Sequence, residues 1–83
     1  MKLIITKPAQ RDLAKLDKTT QKQIALVLDK YIAGEQVDIL KLSGILNQYR
    51  IRSGDHRIII ERVADHTIIV YALRILNRKQ AYR

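Results

Sequence analysis

The stretch Tyr49-Arg50-Ile51-Arg52-Ser53-Gly54-Asp55-His56-Arg57-Ile58-Ile59-Ile60 reads as a β-hairpin. Tyr49 to Arg52 alternates apolar and cationic side chains with the period of a strand, Ser53-Gly54-Asp55 is turn chemistry, and His56 to Val63 is rich in β-branched residues. Ala64-Asp65-His66 turns the chain again before a second apolar run, Thr67 to Leu76. Three consecutive strands joined by tight turns make an antiparallel meander. Ile58-Ile59-Ile60 and Ile68-Ile69-Val70 are apolar on both faces of their strands. Both faces therefore need cover: either the sheet curls over its second face, or a partner segment lies across it.

Towards the N-terminus, residues 35 to 48 mix polar residues with isolated Leu and Ile and show no sustained period, which reads as a loop touching the core. Before it, Ile24, Val27, Leu28, Tyr31 and Ile32 form one helical stripe. Gly34 stands where a C-terminal cap belongs, and Asp17, or else Thr20 with Gln23, can open that helix. Pro8 suits a first helical turn, with Ala9, Leu13 and Leu16 following at i, i+4 and i+7. Lys2 to Ile5 is a short strand. The expected fold is α+β in the order β-α-α-β-β-β, an antiparallel sheet with a two-helix hairpin packed on one face, because neither layer can bury its apolar side alone. Residues 1–83 make a single domain of this kind.

Composition narrows the function. Of 83 residues, 47% are apolar and 29% charged, as in a folded globular chain. There is no cysteine, and the two histidines, His56 and His66, stand among scattered carboxylates, so neither a disulfide framework nor a metal site is expected. The three glycines are isolated, so no nucleotide-cofactor loop is read and no cofactor is expected. No apolar run approaches the roughly 20 residues that span a bilayer, which points to the cytoplasm rather than a membrane. The net charge of +8 points to a polyanionic partner, nucleic acid first and an acidic protein second. Seven of the eight lysines lie in residues 1 to 41 and seven of the eight arginines in residues 42 to 83. A guanidinium grips phosphate through two hydrogen bonds, so the second half is where an active surface is expected.

There Arg50 and Arg52 leave the same face of their strand, about 7 Å apart, while Tyr49 and Ile51 point to the core. Arg57 starts the next strand across the turn, as an exposed strand-end residue contributing little to folding, and the chain's end adds Arg78, Lys79, Tyr82 and Arg83. Such a surface suits the backbone of single-stranded RNA and the pentavalent phosphate formed when a ribose 2′-OH attacks. His56, at the turn, carries an imidazole that can relay a proton. Arg62 and Arg74 are read instead as partners of Asp55, Glu61 or Asp65 or as solvated charges, and Tyr31 and Tyr71 as core residues.

These residues resemble the RelE/ParE toxin superfamily. The resemblance lies in Lys41-Leu42-Ser43-Gly44 followed by Tyr49 to Ile60, in Leu13-Ala14-Lys15-Leu16-Asp17-Lys18 at the family's helix junction, and in Asn77-Arg78-Lys79-Gln80-Ala81-Tyr82-Arg83 at its terminal basic-tyrosine motif. It spans nearly the whole chain. It implies a toxin of a type II toxin-antitoxin pair: a metal-independent endoribonuclease, or mRNA interferase, that cuts messenger RNA in the ribosomal A site and is silenced by a cognate antitoxin wrapped around it. In the family's chemistry basic residues bind the scissile phosphate, the 2′-OH attacks, and a 2′,3′-cyclic phosphate and a 5′-OH result. Carried over by position, the paired basic residues fall on Arg50 and Arg52, the phosphate-stabilising arginine on Arg57, and the terminal basic residue and tyrosine on Arg78 and Tyr82. Lys79 and His56 are the further RNA contacts.

The chain departs from the family pattern at three points. The paired positions, often lysine in the RelE branch, are arginines here, and a guanidinium is a poor general base. The usual aromatic before the phosphate arginine is His56, and the histidine frequent before the terminal arginine is Asn77. Two other readings stay open: the ParE branch, which shares the fold but poisons DNA gyrase and usually has a longer helical hairpin, and a degenerate member that serves only to bind its antitoxin.

Overall fold

Residues 1–44, 46–64 and 68–77 are described by a computed structural model, with 68–70 as backbone only. Strand β1, Lys2–Ile5, runs into helix α1, Lys7–Ala14. Thr6 joins them: its hydroxyl accepts from the Ala9 amide at 3.4 Å and shares its proton between the carbonyls of Ala72 (2.9 Å) and Leu73 (3.0 Å). One side chain thus caps the helix and ties it to a strand 66 residues away. Helix α2, Lys18–Ile32, opens on Asp17, whose carboxylate accepts from the Thr20 amide at 2.7 Å. It closes on Gly34 at φ +84°, where the amides of Gly34 and Glu35 donate to the carbonyls of Tyr31 and Lys30. That pair of bonds is the Schellman pattern expected of a glycine just past a helix. Between the helices the Gln21 amide donates to the carbonyls of Leu13 and Leu16 (2.8 and 3.0 Å), which holds the corner.

The remaining chain forms β2 (Ile39–Lys41), β3 (Gln48–Ser53), β4 (His56–Ala64) and β5 (Ile68–Asn77). The five-stranded sheet has the order β1-β5-β4-β3-β2. The α+β class, the helical hairpin and the meander are as expected, and two features extend them. Residues 39–41, read as loop, form the edge strand β2 by pairing with Arg50 and its neighbours. The first strand joins the far edge in parallel with β5, which makes the sheet mixed rather than wholly antiparallel. Between Ile59 and Ile60 the register against β5 slips by one residue, a bulge that falls at Leu73.

One core lies between the helices and the sheet: Ala9, Ile24, Leu28, Tyr31, Ile51, Ile58, Ile60, Ala72 and Ile75. Each fully buried Ile or Leu in it contributes about 1.5–3 kcal/mol relative to exposure. Alternation along β3 and β4 sends Ile51, Ile58 and Ile60 to the helices and Arg50, Arg52, Arg57 and Ile59 to the opposite face. No helix among the described residues is long and apolar enough to cross a membrane.

Candidate functional site

The β3–β4 hairpin positions the arginines. Ser53 pairs with His56 to close a two-residue turn in which Gly54 takes φ +59°, the arrangement of a hairpin whose first loop residue favours glycine. That register sets Arg52 directly opposite Arg57 and Arg50 opposite Ile59. Directly opposed strand residues share a face with their Cβ atoms about 5 Å apart, so two cationic side chains spring from neighbouring points, a pairing of like charges that costs stability. Arg50 lies between Leu40 of β2 and Ile59 of β4. It is half-buried, and its Nε is shut off from solvent with no hydrogen-bond partner among the described residues. A donor buried without an acceptor is uncommon enough to need an explanation.

Arg57 is 3% exposed, which corrects the expectation of an exposed strand-end side chain. The reason lies in the sheet order: β4 is an interior strand, so Arg57 has Arg52 on one side and Leu76 on the other. Its Nη1 donates back to the carbonyls of Gly54 and His56, both at 3.3 Å, which folds the guanidinium over the hairpin turn. Arg52 keeps 42% of its side chain exposed and places Nε 3.8 Å from a carboxylate oxygen of Asp38.

His56 is not brought to this patch. It lines a hollow of about 270 Å³ with Asp12, Lys15, Leu16, Arg74, Ile75 and Asn77, at the helix junction. The two-residue period that joins Arg50 to Arg52 already implies this, since neighbours on a strand face opposite ways. In the hollow Arg74 donates from Nε and an Nη to the Asp12 carboxylate (2.8 and 3.2 Å), and the Ile75 amide donates to it at 2.8 Å. Arg74 is thus paired as expected, but with Asp12 of α1 rather than with Asp55, Glu61 or Asp65. Burial pushes the Asp12 carboxyl up, but the bonds from Arg74 and Ile75 and the nearby Lys15 charge outweigh it and hold it below its ordinary value. Arg62 lies 5.7 Å from the centre of the Tyr49 ring, on the helix side. The neighbouring Tyr31 phenol is raised, first by burial, with the charge of Arg62 and a hydrogen bond from it opposing.

A larger open hollow of about 560 Å³ follows β2, lined by Lys41, Leu42, Ser43, Gly44 and Leu46. Arg78, Lys79, Tyr82 and Arg83 lie outside the described residues. What the structure assembles from the expected set is therefore Arg50, Arg52 and Arg57: a cationic patch flanked by Leu40 and Ile59, able to hold phosphate and touch a base or an apolar side chain. Asp38, beside it, carried no signal in the sequence, being one acid in an irregular stretch.

Comparison with known proteins follows the same outline. Residues 3–82 match the family described as the ParE toxin of type II toxin-antitoxin system, parDE. The chain is 36% identical to Toxin RelE3 of Methanocaldococcus jannaschii, over 99% of this chain and 96% of that one. In the RelB-RelE antitoxin-toxin complex from Methanococcus jannaschii, one chain superposes with a TM-score of 0.74 at 34% identity, covering 95% of this chain and 94% of that one. A chain of the archaeal RelE-RelB complex from Pyrococcus horikoshii does so with 0.73 at 25% identity, over 93% of each.

Proposed function

From the premise that the chain belongs to the RelE/ParE superfamily, as a toxin of a type II toxin-antitoxin system, we propose that it is a metal-independent endoribonuclease that cuts messenger RNA in the ribosomal A site. The observation that carries this reading is the register that sets Arg52 opposite Arg57 with Arg50 on the same face. Like charges directly opposed on a strand pair cost stability, whereas a phosphate bridging them turns the repulsion into attraction. In the proposed reaction the ribose 2′-OH attacks the scissile phosphate, these guanidiniums hold the charge on the pentavalent phosphorus, and the 5′-oxygen leaves, giving a 2′,3′-cyclic phosphate. Arg78 is the candidate for adding positive charge at the scissile phosphate and Tyr82 for proton transfer, Lys79 for binding the strand, and cytoplasmic ribosomes are the place of action. His56, on the other side of the sheet, is a candidate for contact with RNA beyond the scissile position.

The named assemblies of two similar toxins support a cognate antitoxin as partner. Leu40, 55% exposed, and Val63, 39% exposed, are apolar residues on the sheet for such a segment to cover. The match to a ParE family favours one second reading, a gyrase poison that cuts no RNA. Incubating the purified chain with programmed ribosomes and mapping the cut ends separates the two. Cleavage within the A-site codon is expected; intact messenger together with inhibited supercoiling overturns the nuclease in favour of the poison.

A further inference from the structure

The cationic patch does not stand open in the absence of RNA. Arg57 turns its Nη1 to the carbonyls of Gly54 and His56. Arg52 turns Nε towards Asp38, at 3.8 Å. The Asp38 backbone is fixed beside Arg52 independently of that contact, because the Arg52 amide donates to its carbonyl at 2.9 Å. The carboxylate sits just ahead of β2, the exposed edge strand that flanks Arg50 through Leu40. Both side chains of the pair are well exposed, 42% and 58%, so the contact is weak and a stronger anion can replace it.

We propose that Asp38 is a positioning residue for the site: it occupies the Arg52 guanidinium while no ligand is bound, and a phosphate must displace it. The proposal rests on the phosphate-binding reading of the patch. Asp38 does two things. Without ligand it relieves the repulsion between Arg52 and Arg57 and holds the Arg52 side chain near its working position. With ligand it becomes a nearby negative charge, which weakens every anion that does not engage several arginines at once. Loose polyanions are thereby held off, and a phosphate seated between Arg50, Arg52 and Arg57 is selected.

The test is titration of inorganic pyrophosphate, and separately of a short oligouridylate, into the wild-type chain, Asp38→Asn, Arg52→Gln and the double variant. Asparagine retains the backbone carbonyl that receives the Arg52 amide, so the local fold stays. The expected result is about two- to fivefold tighter binding by Asp38→Asn, the range that loss of an exposed ion pair allows. The dependence of the oligouridylate constant on salt should steepen by about 0.7, the equivalent of one further cation given to the strand. Both gains should vanish in the Arg52→Gln background. Equal or weaker binding by Asp38→Asn, or a gain that survives without Arg52, overturns the proposal. The ribosome assay reports on the nuclease separately: a gain in anion binding without cleavage sinks the enzyme and leaves Asp38 its role, and cleavage without the gain does the reverse.

Discussion

Arg57 and Arg52 face each other across one hairpin yet answer to different constraints. Arg57 is buried on an interior strand with its Nη1 on two turn carbonyls, so its removal opens a packed site and strips those acceptors of a donor. Arg57→Ala should therefore lower stability by about 1–3 kcal/mol as well as abolish activity; a melting temperature equal to wild type would contradict this. Arg52 is exposed, and Arg52→Gln should change stability by no more than about 0.5 kcal/mol. Its cleavage rate should nevertheless fall about 10- to 100-fold, the equivalent of one charge-assisted hydrogen bond of about 1.5–3 kcal/mol. Single-turnover kinetics on programmed ribosomes would measure it. That Arg50 and Arg52 share a face was legible from their spacing. The burial of Arg57 was not, because it depends on β5 arriving along the outer side of β4.

The β3–β4 hairpin carries this geometry, and Gly54 sets its register. Among the described residues, Gly54's chain neighbours aside, no atom lies within 4 Å of where a Gly54 side chain would begin, so the cost of substitution comes from its φ of +59°. Gly54→Ala should cost about 1–2 kcal/mol, and Gly54→Asn distinctly less, in denaturant melts. Equal costs for the two would mean that crowding, not backbone conformation, decides the position. At the opposite edge, α1 and β5 are joined by Asp12, which accepts from Arg74 and from the Ile75 amide beyond the reach of β1. The carboxyl is held below its ordinary value of 3.8 in the folded chain, so it binds its proton less readily folded than unfolded. Its contribution is therefore complete above about pH 4 and is lost as pH falls through the lower folded value. Asp12→Ala should melt well below wild type at pH 7, leaving the Ile75 amide without its acceptor, and the gap should narrow steadily below pH 4. A gap that stays constant down to pH 2 would refute the assignment. In the sequence Asp12 is one polar residue on an amphipathic helix, and only the closure of the sheet brings it to Ile75.

The whole molecule carries a charge of +8 and leaves Leu40 and Val63 exposed on the sheet, charge and apolar area that suit an acidic partner segment. An acidic antitoxin present at about 100 times its dissociation constant should add about 2.7 kcal/mol of stability, or a rise of roughly 10 °C or more in melting temperature for a domain of this size. Superimposable melting curves with and without the antitoxin would exclude it as the partner. Periodicity and turn chemistry are local, a matter of dihedral angles and alternate side chains. For that reason the strands around Gly54, the helix from Lys18 to Ile32, its caps at Asp17 and Gly34, and the pairing of Arg50 with Arg52 could all be read from the residues. Which strand edges meet is a long-range choice, made by the free energy of closing one core. That choice places β1 in parallel beside β5, turns residues 39–41 into an edge strand, buries Arg57, sends His56 to the far side, and sets Asp38 against Arg52.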